Sequence, residues 1–116
     1  MSHASNKVEW CIRKAERETA ETGKHRGLIL KEPDLKLAQK HLQKAEDNLQ
    51  VAYKMREGGH SSWSGSAFFY CLYHCCLAIA AKFGYESGNQ ECTIALIEML
   101  REQGKFNFRR ICGAIQ

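Results

Sequence analysis

Apolar residues recur along this chain at helical rather than strand spacing, and glycines divide them into separate segments. In the first segment Val8, Cys11, Ile12 and Ala15 share one helical face, while Arg13, Lys14, Glu16 and Arg17 fall mostly on the other. Asn6-x-x-Glu9 has the form of a capping box and Gly23 is a stop, so the pattern predicts a helix over residues 6–22. A basic loop, Lys24 to Gly27, follows, with Leu28, Ile29 and Leu30 available to pack down. Pro33 suits the first turn of a second helix. Its apolar positions, Leu35, Ala38, Leu42, Ala45, Leu49 and Ala52, advance by alternating steps of three and four. That is a bundle seam in which alanines let a neighbour come close. Lys36, Lys40 and Lys44 occupy a different face, and Gly58-Gly59 ends the helix.

Ser61 and Ser62 are candidate N-caps for a third helix. From Ala67 to Phe83 that segment is apolar on every side, which predicts the central and most buried helix, with Gly84 as its C-cap. Ser87-x-x-Gln90 repeats the capping-box form ahead of a fourth helix, whose inner face is Ile94, Ile97 and Leu100 and which Gly104 closes. Phe106, Phe108, Ile111 and Ile115 open a further apolar-basic segment that then stops, so the chain reads as a fragment of a longer protein. No internal repeat and no strand-like alternation is present. The expected fold is all-α, an antiparallel up-and-down bundle of four or five helices in a single domain covering residues 1–116.

Composition narrows the class. With 44% hydrophobic residues, one Pro and a net charge of +4, disordered, collagenous and low-complexity classes are excluded. A pI near 8.8 lies below that of a dedicated nucleic-acid domain, so the lysine row reads first as a solvated face. The six cysteines are Cys11, Cys71, Cys75, Cys76, Cys92 and Cys112. Residues 1–25 lack the apolar core of a secretory signal, and three of the cysteines crowd into one apolar run. They are therefore expected to be reduced, buried thiols of a cytoplasmic protein. Ala67 to Ala81 is shorter than the roughly 20 residues that span a bilayer, so no membrane association is expected.

The order of these elements resembles a known family. Lys44-Ala45-Glu46-Asp47-Asn48-Leu49-Gln50-Val51-Ala52 is similar to the first core helix of HEPN domains, the nucleotide-binding family of higher eukaryotes and prokaryotes. Ser66-Ala67-Phe68-Phe69-Tyr70-Cys71-Leu72-Tyr73-His74 resembles the second, and Ala78 to Lys82 with Phe83-Gly84-Tyr85 its continuation. Thr93-Ile94-Ala95-Leu96-Ile97 resembles the third. The likeness covers residues 33–108, leaving the first helix as an addition. It implies an antiparallel bundle, often dimeric through the His-bearing helix, here residues 67–83. It also implies ribonuclease activity in many members, many of them toxins paired with a small nucleotidyltransferase. The family's catalytic signature is an Arg, four to six residues, then a His. Here the His is His74, and the three Arg positions hold Phe69, Phe68 and Ala67.

That departure decides the expected chemistry. His74 has the acid–base chemistry RNA cleavage requires, but no cation stands at the matching positions to hold the phosphate. The expectation is a degenerate, non-catalytic HEPN-like module that dimerises and binds a nucleotide, an RNA or a nucleotidyltransferase partner. The alternative is a metal-independent ribonuclease whose cation comes from Arg101 or Arg109. Candidate ligand-binding residues are Tyr70, Tyr73, His74 and Arg101. Phe68 and Phe69 read as core. Cys71, His74 and Cys75 share a helical face and are weak metal candidates, with Cys92 or His60 as a fourth ligand, but the spacing is not that of a zinc finger. No Walker-type loop or GxGxxG is present, and no cofactor is expected.

Overall fold

The computed structural model describes residues 2–106. In chain order these form α1 (His3–Thr22), β1 (Leu28–Leu30), α2 (Leu35–Glu57), α3 (Ser61–Lys82), β2 (Tyr85–Ser87) and α4 (Gln90–Glu102). The mostly helical class expected from periodicity holds. The two strands were not expected; at three residues each they are too short to display a period of two. The further apolar segment from Phe108 onward lies outside the described residues.

Two compact units divide the chain: Pro33–Phe83, and the residues on either side of it. The first of these is a helical hairpin of α2 and α3. Ala38, Ala45 and Ala52, seven residues apart, are the buried residues of α2. On α3 the buried row is Ala67, Cys71, Cys75 and Ala78. Side chains this small bring two helices close together. Ala38, Ala78 and Ala81 form one buried cluster at the open end of the hairpin. There the Asp34 backbone N–H donates to the Ala81 carbonyl at 2.9 Å, and the Asp34 carboxylate caps α2 by accepting from the Leu37 N–H at 2.9 Å. Pro33 thus precedes the cap rather than sitting inside the helix.

The leucines of the expected seam are displaced by this close approach. Leu35 is 63% and Leu42 43% exposed, because the alanines fill the contact and the leucines flank it. The third helix is likewise less buried than an all-apolar segment predicts. Trp63, Phe69, Tyr70 and Leu72 are all exposed, since within this unit α3 has one helix to pack on. Its cap is His60, without a side-chain hydrogen bond, and Ser61 is already helical. The helix runs 22 residues, six further toward the N-terminus than the segment starting at Ala67. Among the described residues it is the one helix long and apolar enough, by length and composition, to cross a membrane.

In the other unit α1 packs on α4. Ser2, not Asn6, caps α1, accepting from the Ser5 N–H at 3.0 Å, and Gly23 ends it at φ 75°. Ala4, Val8, Cys11 and Ala15 are buried on α1, and Cys92, Thr93, Leu96 and Leu100 on α4. Ile94, expected to face inward, is exposed; Thr93 takes that place, its hydroxyl bonded to Ser87 and to the Asn89 carbonyl. β1 and β2 pair antiparallel with Leu28 opposite Ser87 and Leu30 opposite Tyr85. Gly27 lies so close to α1 that a Cβ there would collide with the Cys11 carbonyl and stand 2.9 Å from the Ala15 nitrogen. Asn89 caps α4 by accepting from the Cys92 N–H at 2.7 Å, and its amide donates to the Arg26 carbonyl.

Two of the six cysteines are not thiols. Cys11 and Cys92 form a disulfide, with Cα atoms 5.9 Å apart and a sequence separation of 81. The expectation of six reduced thiols is corrected, and the cytoplasmic setting loses the support it drew from them. Both sulfurs lie on inward-facing helical positions, so the burial that suggested inert thiols is what brings them together. Closing a loop this long stabilises the folded state by up to about 4.5 kcal/mol in the chain-entropy account. Reduction should therefore lower the urea midpoint of the wild type and leave that of Cys11→Ala unchanged. Blocking thiols in cells before lysis should tag two fewer cysteines than after reduction; equal counts would exclude the disulfide in that compartment.

Candidate functional site

His74 lies at the edge of the hairpin seam, beside the buried row of α3 rather than within it. By helical periodicity Tyr70 is one turn before it on the same edge. Across the seam, α2 presents His41, three residues after the buried Ala38 and four before Ala45. The two imidazoles meet: Nδ1 to Nδ1 is 3.3 Å, with ring centroids 5.5 Å apart and planes 26° from parallel. One ring donates and the other accepts, according to tautomer.

Burial, chiefly, holds both imidazoles below the ordinary histidine value. The Lys44 ammonium, one turn along α2 from His41, pushes both further down, and His74 adds to the effect on His41. At neutral pH the pair is therefore uncharged, and Lys44 is the cation beside it.

The aromatics of α3 form a ladder on the exposed side. Phe69 stacks on Tyr73 at 6.3 Å with planes 7° apart and meets Tyr70 edge-on at 5.7 Å. The Tyr73 and His74 ring centroids are 6.5 Å apart, with planes tilted by 51°. Phe69, expected in the core, is exposed. Phe68 packs edge-on against Tyr53 of α2 on the opposite flank of the hairpin, 5.7 Å between centroids. Tyr70, Tyr73 and His74 are thus gathered along one helix, as the sequence suggests. Arg101 belongs to the other unit, exposed in the last turn of α4. Arg109 lies outside the described residues.

The Cys71–His74–Cys75 metal arrangement does not form. Cys71 and Cys75 turn into the buried seam and hydrogen-bond to each other, while His74 turns to His41. Burial pushes the Cys71 thiol up, partly opposed by that bond, and burial also raises Cys76. Cys92 is consumed by the disulfide, and His60 is an exposed cap. Among the described residues no group of three or more His, Cys, Asp or Glu side chains is placed to hold a metal.

Sequence reasoning missed His41. Its signal was its place on α2, next to the alanine row, which puts it on the seam edge. The chain matches no family model, no curated protein and no solved structure.

The histidine pair sets a pH dependence. With folded-state values depressed, the unfolded chain binds protons first as pH falls below 6.5. The pair's contribution to stability is then full above pH 6.5 and is lost as pH falls through the folded values. Urea midpoints should decline from pH 7 to pH 5 in the wild type and more shallowly in His41→Gln/His74→Gln. Parallel profiles would exclude the pair as the cause.

Proposed function

We propose that this chain is a non-catalytic or degenerate HEPN-like helical module that self-associates through the outer face of α3. Along the His41–His74 edge it binds a nucleotide or single-stranded RNA. The observation that carries this reading is the His41–His74 contact under the charge of Lys44, one turn from the exposed Tyr70 ring. An ammonium attracts phosphate, neutral imidazoles offer hydrogen bonds, and an exposed Tyr face stacks on a base. On the side of α3 away from α2, Phe69 and Leu72 offer an apolar face of the kind that second copies cover. A nucleotidyltransferase partner comes from the family resemblance alone. A cytoplasmic setting would require the Cys11–Cys92 pair to be reduced in cells, so two fewer cysteines tagged before reduction than after would exclude it.

The ribonuclease alternative gains a second imidazole from His41, which the sequence did not suggest. It gains no fixed cation at residues 67–69, and the pair at neutral pH supplies a base without a charged acid. Loss of one preorganised charge-stabilising group costs about a hundredfold in rate or more.

A labelled single-stranded RNA should bind with an anisotropy change and remain uncleaved. Lys44→Gln and Tyr70→Ala should each weaken it about tenfold, the value of roughly 1.4 kcal/mol. Binding indifferent to both substitutions would sink the ligand reading, and cleavage abolished by His74→Ala would establish the enzyme instead. In sedimentation the wild type should associate and Leu72→Lys should not. A monomer at every concentration would remove the dimer.

A further inference from the structure

We propose that the His41–His74 pair is a one-proton switch for phosphate binding: a phosphate group on this edge draws a proton onto the pair, and acid in turn tightens the hold on phosphate. The inference rests on the ligand reading above and adds the regulation of that site.

The hydrogen bond between the rings is the first argument. In the neutral pair one ring carries its proton on Nδ1 and donates it across 3.3 Å to the Nδ1 of the other. The donor ring therefore keeps a lone pair on Nε2, and the acceptor ring keeps its own proton there. Among the described residues neither Nε2 has a hydrogen-bond partner, and neither is sealed from water. An incoming proton thus has a place, the Nε2 of the donor ring, that leaves the contact intact. The product is an imidazolium donating to a neutral imidazole, a charge-assisted bond stronger than the one it replaces. A second proton would have to enter at the acceptor Nδ1, where two N–H groups would then face each other. The contact accepts one proton and resists two.

Charge around the pair is the second argument. Within this unit α2 and α3 are the helices that face it. From α2 the charged neighbour is Lys44, which is exposed and, among the described residues, pairs with no carboxylate. From α3 the titratable neighbours are the Tyr70 and Tyr73 phenols and the Cys71 and Cys75 thiols, groups of types that carry no charge near neutral pH. Nothing on either helix offsets the ammonium, and the free pair stays neutral. A bound phosphate supplies the missing negative charge. It counters Lys44 and favours the imidazolium, and by reciprocity the imidazolium favours phosphate. Since binding raises the proton affinity of the pair, the complex gains strength as pH falls.

A labelled oligouridylate is the probe, because its bases and phosphodiesters do not titrate between about pH 5.5 and about pH 7.5. Its anisotropy should report binding to the full chain about tenfold tighter at the lower pH, within the tenfold per pH unit that one linked proton allows. Calorimetry in two buffers of different ionisation enthalpy should show net proton uptake on binding, up to one per chain. In His41→Gln/His74→Gln the affinity should be flat across the same range. In case that variant misfolds, the imidazole proton signals of the wild type are followed too. Two of the five histidines should titrate together and move to higher pH on adding oligouridylate. In Lys44→Gln the same two should titrate higher without it, because the opposing ammonium is gone. Binding by the wild type that is indifferent to pH would overturn the switch and leave the ligand reading standing, whereas no binding at either pH would overturn both. A pH dependence that persists in the double variant, or titration shifts confined to other histidines, would also overturn the switch.

Discussion

Close approach of α2 and α3 along a seam of alanine and cysteine is the constraint on which the Pro33–Phe83 unit depends. Ala38, Ala45 and Ala52 on one helix meet Ala67, Cys71, Cys75 and Ala78 on the other. These side chains bury little area each, so the seam gains from tight backbone contact and dispersion rather than from bulk. Larger residues are thereby forced outward, to two flanks and one outer face. One flank carries Leu35, Leu42 and Tyr53; the other carries His41, Lys44, Tyr70 and His74. The candidate site is thus a product of the seam: two imidazoles touch because the residues next to them are small enough to let them.

The same constraint explains what could be read in advance and what could not. Alternating steps of three and four identified α2 and its alanines, but periodicity does not say which residues of a wide apolar stripe will make the contact. Leu35 and Leu42 fell within the stripe and outside the contact. Apolarity on every side of Ala67 to Phe83 predicts burial throughout, yet Phe69, Tyr70 and Leu72 are exposed, and burial on successive residues is confined to Ala78–Ala81. His74 stands out in the sequence because it is the one histidine in an apolar run rich in aromatics. His41, flanked by Lys40 and Leu42, has no local pattern, and its partner lies 33 residues away. Pairing at that distance is set by the hairpin, not by neighbours in sequence.

The disulfide teaches a related lesson. Cys11 and Cys92 each occupy the inward position of an amphipathic helix, where a cysteine behaves as a small hydrophobe. Nothing local distinguishes them from Cys71 and Cys75, which occupy equivalent positions in the other unit and remain thiols. Only the packing of α1 on α4 does so. That packing also rests on Gly27, whose missing side chain lets the turn before β1 lie against the Cys11 carbonyl.

Between them the two units divide the chain very unequally by distance in sequence. The hairpin is one uninterrupted stretch, Pro33–Phe83, closed by a two-glycine turn, so its contacts form between residues that are never far apart along the polymer. The other unit is written in two pieces with that stretch between them, and the pairing of Leu28 with Ser87 cannot begin until residue 87 exists. On a ribosome, the hairpin can therefore assemble while α1 still waits for its partner. Because loop-closure entropy falls once the intervening segment is compact, the finished hairpin brings the two pieces to each other as a short effective loop. The order of assembly is thus written into the order of the chain.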